Sequence, residues 1–273
     1  MKYLFPKFLN SQFAIFLLIL SVAFSVNSYS QSTKTETPPC ANSDYDCLIA
    51  KYTKLIKENP DDAEAYYKRG TLYSRRGNYD RAIKDFSSAI KLKPDNVEFY
   101  YSRGRSYGFK NNISAAIADL NKAIEIDSEF IDGYYGRGIF LDQTDKKDEA
   151  LTDFAIAIKG YNYKISLNFA DSGDYLRHGN INEILGKTDE AISDYEKAIA
   201  INADNSQIYY YRGMLYFSQQ NYAFALDDFT KAIMLNPNFA ESYRERARVY
   251  YKIGDNSKAG SDGKKYKDLS EKP

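Results

Sequence analysis

The chain has 273 residues, with 37 lysines and arginines against 37 aspartates and glutamates, so it carries no net field to steer nucleic acid or anionic lipid. A single histidine and two cysteines leave little material for a metal centre, and no phosphate-cradling glycine loop or nucleophile elbow occurs. No cofactor and no metal is expected, and the chain reads as a non-enzyme.

Lys2 and Lys7 precede an apolar run from Phe13 to Phe24, and Ser25, Ser28 and Ser30 come after it. Charged, apolar and small-polar regions in that order read as a secretory signal peptide over residues 1–30, cleaved after Ser28 or Ser30. The run is short for a membrane span. An uncleaved anchor is the alternative, and would be the chain's one route to a membrane. On this reading the mature protein is exported, periplasmic or extracellular. Residues 31–42 are rich in Ser, Thr, Pro and charge, with nothing to bury, and read as a flexible linker. Cys40 and Cys47 stand at its far end. In an oxidising compartment they can close a small loop that staples the start of the helical array. The alternative is two free thiols; the absence of a C-x-x-C spacing speaks against redox catalysis.

Residues 43–60 read as one helix, capped by Ser43 or Asp44 and stopped by Pro60, with Leu48, Tyr52 and Leu55 on one face. It resembles the second half of a helical hairpin and would cover the open face of the next element. From Ala63 the chain then rewrites one stretch of 34 residues, ending first at Asn96. Y-x-x-R-G recurs as Tyr66/Arg69/Gly70, Tyr100/Arg103/Gly104, Tyr134/Arg137/Gly138 and Tyr209/Arg212/Gly213, with looser copies at Tyr175/His178/Gly179 and Tyr243/Arg246/Ala247. Tyr66, Gly70 and Tyr73 share a face of a first helix; Ala82, Phe86 and Ala89 share a face of a second. Gly77 and Asn78 make the turn between them, and Pro94 ends the unit. Gly70 opposite Ala82 lets two antiparallel backbones approach, with the aromatic side chains filling the space around that contact.

Six units succeed one another, at 63–96, 97–130, 131–164, 172–205, 206–239 and 240–269, leaving 270–273 as a tail. The rhythm breaks once: Gly138 to Gly179 spans 41 residues, seven too many, which places an insertion at 165–171. Gly160 would end the preceding helix, and Tyr161 to Phe169 alternates apolar and polar, a strand-like period. It reads either as a loop covering a gap between units or as an exposed edge that binds. The last helix, Ser257 to Leu269, has Gly263 in place of the bulky residue and several lysines, as a terminal cap requires.

Aromatic, Gly, Tyr, Ala, Phe, Ala and Pro at these offsets resemble the tetratricopeptide repeat. The likeness covers Ala63 to Leu269, although Trp never occupies the aromatic position and Pro is missing after units two, three and four. It implies an all-α fold, a right-handed α-solenoid of stacked helix-turn-helix repeats.

In each unit the residue before the Gly is Arg69, Arg103, Arg137, His178, Arg212 or Arg246, and an aspartate lies sixteen residues on, from Asp85 to Asp262. That register predicts a ladder of ion pairs inside the repeats, with His178 a structural substitute; a general base would need an oriented partner group. The resemblance implies that the remaining stripe of the first helices lines a concave groove. Tyr67, Tyr101, Tyr135 and Tyr210 recur on it, with Glu64, Glu98 and Asp132 at their edge and Arg105 beyond them. A tyrosine row edged by acids suits an extended peptide of a protein partner, slightly favouring a basic one. The same tyrosines could instead fill space between helices, or stack on the sugars of a cell-wall carbohydrate. The Lys and Asn pattern with which some relatives bind chaperone tails is missing, since Asn180 is the one Asn on the stripe.

Overall fold

The structure, a computed structural model, describes residues 40–41 and 44–271. The expected leader, the linker as far as residue 39, the alternative cap Ser43 and the end of the tail lie outside the described residues. Among the described residues there are thirteen helices and no strand. A first helix α1 (Tyr45–Glu58) is succeeded by six hairpins: α2 (Ala63–Arg75) with α3 (Tyr79–Leu92), α4 (Val97–Phe109) with α5 (Ile113–Ile126), α6 (Ile131–Asp142) with α7 (Lys147–Ser166), α8 (Ser172–Ile184) with α9 (Thr188–Ile201), α10 (Ser206–Ser218) with α11 (Tyr222–Leu235), and α12 (Ala240–Lys252) with α13 (Asn256–Ser270). Each helix packs on its neighbours in sequence, so the core is a succession of local interfaces rather than one centre.

Within a hairpin the close approach is where the repeat places it. A Cβ added to Gly70 would stand 2.8 Å from the Phe86 ring, and one added to Gly138 would stand 2.6 Å from the Phe154 ring. Both are too close for real atoms, so glycine at this slot and the aromatic opposite require each other. Ala82, Ala116, Ala150, Ala191 and Ala225 are fully buried beside that contact. Asp62, Asn78, Asn96 and Asn112 cap their helices with side-chain oxygens. Where unit three and unit six lose the first cap, Phe130 and Phe239 stand in its place. Those rings pack on Tyr101 and Tyr210 at 5.2 and 5.0 Å, so a hydrogen bond has been exchanged for an apolar contact.

The ion-pair ladder is present as the register requires. Arg69, Arg103, Arg137, Arg212 and Arg246 each hold their aspartate through both Nε and Nη2, at 2.7 to 2.9 Å. In unit four His178 Nδ1 meets Asp194 Oδ2 at 2.7 Å, so the histidine is a structural member of the ladder. The arginines also join units: the Nη1 groups of Arg69, Arg103, Arg137 and Arg246 reach Thr53, Ser87, Asn121 and Thr230 of the unit before, at 2.8 to 3.2 Å.

The strand-like alternation becomes helix as far as Ser166, and residues 167–171 form the connection to α8. Gly160 sits inside α7, which runs for 20 residues. Its missing Cβ makes room for Ile131, whose Cγ1 a Cβ there would meet at 2.6 Å, so that glycine serves packing and not termination. A lone strand would leave its backbone groups unpaired, whereas extra helical turns satisfy their own. Tyr161 points inward and is fully buried, while Tyr163 and Phe169 are exposed. The helix closes with Asn168 in the left-handed region (φ 57°) and Phe169 N–H bonded to the Lys164 carbonyl at 2.9 Å. Asp44, with its side chain on Cys47 N–H, caps α1, and Cys40 and Cys47 are joined as a disulfide with Cα atoms 5.7 Å apart.

Candidate functional site

The first helices of successive units line the inner side of the array, and two connected cavities occupy it. One, of 480 Å³, is walled by α4, α6, α8 and α10, with Tyr101, Tyr135, Leu176, Asn180 and Tyr211 among its lining. The other, of 1080 Å³, begins at Tyr67 and Glu98 on α2 and α4 and extends to Asp204, Gln207 and Phe239 near the starts of α10 and α12. The array therefore curves enough for units one and two to face the turns before units five and six. Tyr101, Arg105, Phe109, Asn205 and Gln207 belong to both cavities, making them one channel.

The expected site residues divide into three groups. Tyr67 and Tyr135 line the channel and are half-buried. Tyr67 stands 5.0 Å from the Phe99 ring. The Tyr135 hydroxyl accepts from Asn180 Nδ2 at 2.8 Å, and burial pushes its pKa up to about 12. Tyr101 also borders the channel but is only 7% exposed, so it is a wall held in the core. Tyr210 lines neither cavity; its ring lies among Tyr211, Phe229 and Phe239, because Phe239 closes over it.

The acidic edge is largely spent within the fold. Glu64 lies outside both cavities and pairs with Lys68 at 3.6 Å. Asp132 accepts from the Tyr161 hydroxyl at 2.7 Å and pairs with Arg177 at 3.3 Å, a contact created by the extension of α7. Glu98 remains on the channel, its carboxyl raised by burial and then by Asp132. Arg75, Arg105 and Asp204 are further exposed charges on the channel, and none of them has a salt bridge among the described residues. The Arg105 guanidinium lies 5.5 Å over the Tyr101 ring.

Sequence reading missed Arg177, Asn205 and Tyr211. Arg177 stands beside His178 in unit four and was silent because its partner Asp132 lies in another unit. Asn205 caps α10 through Gln207 N–H at 3.0 Å, and its second role on the channel comes from the curvature of the whole array. Asn180 carried a signal, as the one Asn on the stripe. The Tyr195 hydroxyl lies 2.8 Å from its Oδ1 and 3.0 Å from Glu183 Oε2. Among the described residues no group of acids, histidines or cysteines is placed to hold a metal, and no helix is long and apolar enough to cross a membrane.

Stacked helical hairpins around an inner channel define an α-solenoid. Tetratricopeptide-repeat family models match residues 63–96 and 206–239, a second such model matches 97–130, and a TPR-repeat model matches 179–220. The chain belongs to the tetratricopeptide-repeat proteins, a fold that is generally a non-catalytic scaffold for protein–protein interaction. A search of curated proteins by sequence found no significant match. Among solved structures, a chain of the APC/C Cut9–Hcn1 hetero-tetramer superposes with a TM-score of 0.66 at 16% identity, over 84% of this chain and 44% of that one. This protein thus spans less than half that relative's length. A tetratricopeptide protein from Parabacteroides merdae gives 0.58 at 20% identity, over 82% and 93% of the two chains. A thermophilic one from Thermus thermophilus gives 0.59 at 20%, over 69% and 99%. At these identities the likeness shows the fold alone.

Proposed function

We propose that this protein is an exported scaffold that holds an extended segment of a partner protein in the concave channel. The observation that carries the reading is the channel itself. It is continuous from unit one to unit five, walled by aromatic rings, supplied with the amides of Asn180, Asn205 and Gln207, and served by an uncommitted guanidinium at Arg105. Side-chain amides match the alternating donors and acceptors of an extended backbone, and an unpaired arginine matches a carboxylate. With Glu64 and Asp132 already paired, the unpaired channel charges are Arg75 and Arg105 against Glu98 and Asp204, and the guanidinium of Arg105 beside the aromatic wall is matched to an acid on the segment rather than to the basic one that the tyrosine-and-acid stripe implies. A carbohydrate needs open ring faces, and here the rings of Tyr67, Tyr101 and Tyr210 pack against Phe99, Phe130 and Phe239. Export rests on the leader sequence.

A photo-crosslinker introduced at position 105 in the native host should yield a discrete adduct, while one at position 84, exposed on α3, should yield none. Equal labelling from both positions would contradict a channel ligand.

A further inference from the structure

The array fills one slot in the same way five times and leaves it open the sixth. Phe86, Leu120, Phe154, Tyr195 and Phe229 each occupy the same position of their second helix and are at most 1% exposed. The four rings would stand 2.6 to 2.9 Å from a Cβ added to the glycine of their first helix, and Leu120 packs at 3.4 Å from one added to Gly104. In unit six that position is Gly263, and a Cβ built there meets nothing within 4 Å. The opposing glycine has become Ala247, which is possible only because no ring presses on it. The neighbouring Ala259 is half-buried where its five counterparts are sealed.

The result is a cavity of 370 Å³ between α12 and α13, floored by Ala247, Ala259 and Gly263 and flanked by Phe217 and Tyr266. Its rim is cationic. Arg244, Arg248 and Lys252 are its charged lining residues, and no carboxylate among the described residues lines it. Arg244 and Arg248 both hold the buried Glu245, which offsets one of these charges and leaves the rim positive. Arg248 also lies 5.0 Å over the Phe217 ring, so one wall of the slot is fixed.

We propose that this slot is a docking pocket for an aromatic side chain carried on an acidic segment of a partner protein. The inserted ring would take the place that the array gives to its own aromatic residue in other units, and the flanking carboxylates would meet the arginines and Lys252. The site lies beyond the concave channel and its occupancy does not require the channel to be filled.

The test uses the chain lacking the leader and a fluorescein-labelled Asp-Glu-Phe-Glu-Asp peptide, read by anisotropy. Gly263→Ala restores helix propensity without filling the slot and should bind within twofold of the parent. Gly263→Phe supplies the missing ring from within, and should raise Tm while weakening the peptide at least tenfold. The peptide with Ala in place of Phe, and the Lys252→Glu protein, should each also bind more weakly. Repeating the titration in an Arg105→Ala background separates this slot from the channel, since the slot affinity should persist there. The proposal is overturned if Gly263→Phe, folded by circular dichroism, binds as the parent does, or if the parent shows no saturable binding. It is overturned equally if the parent forms a concentration-dependent dimer that Gly263→Phe abolishes, which would make a second copy the occupant.

Discussion

Asp119 is 6% exposed and accepts two hydrogen bonds from Arg103, whose third arm reaches Ser87 in the preceding unit. Removing the carboxylate strands a guanidinium among apolar neighbours, so Asp119→Ala should cost about 3 kcal/mol in urea unfolding, with a smaller loss for Asp119→Asn. Glu183 behaves in the opposite sense. Burial raises its carboxyl above the ordinary range near 4.3. A group whose folded pKa exceeds the unfolded one contributes its full stability below the unfolded value. That contribution is lost as pH rises through the folded value. Glu183→Gln should therefore be more stable than the parent at pH 7, and its stability should fall less between pH 4 and pH 7; an unchanged pH profile would remove Glu183 from the account. The Arg–Asp pairs were legible in the sequence because both partners recur at a fixed sixteen-residue offset inside one unit. Arg177 with Asp132 was not, since a 45-residue separation across a broken register leaves no pattern to read.

Helix boundaries were legible from caps and glycines wherever a unit kept its 34-residue period, and failed where it did not. The alternation from Tyr161 to Phe169 carries a strand's period, but Tyr161 and Ile165 also lie four apart, on one helical face. With no second strand to pair, the helical reading wins. The caps show what drift has removed. Asn78 and Asn112 cap the second helices of units one and two, while Lys187 precedes α9 with no side-chain cap bond. The backbone at Lys187 (φ −88°, ψ 68°) matches that at Asn78 (φ −85°, ψ 69°), so an asparagine fits without rearrangement. Lys187→Asn should stabilise the protein by about 1 kcal/mol, read as a higher urea midpoint at constant m-value.

In a solenoid, stability is a sum of units and the interfaces between them, so a seam is visible at the scale of the whole molecule. The third arm of the ladder arginine ties most units to the one before. That tie is absent at Arg212, which bonds only Asp228, and between units three and four it is absent on both sides: His178 replaces the arginine, and Asn162 stands sixteen residues before it, without bonding to it, where earlier units carry Ser87 or Asn121. The longer α7 provides other connections across the same boundary. Lys164 pairs with Asp174 at 2.9 Å, and Tyr161 with Arg177 converges on Asp132. This polar cluster sits beside the channel, so the insertion both joins the two halves and shapes the wall where they meet. The repeat architecture could be read from the sequence; the curvature that brings Asn205 and Gln207 opposite Arg105 could not, because it accumulates over the unit interfaces between them, none of which encodes it alone. The most direct test of the channel is the affinity of a partner segment for parent and Arg105→Ala protein, compared by calorimetry. Arg105 supports no other side chain by hydrogen bond among the described residues, so the variant should keep the parent's Tm and bind at least tenfold more weakly, about 1.4 kcal/mol, while Lys84→Ala binds as the parent does. Equal affinity for parent and Arg105→Ala would contradict a ligand held in the channel.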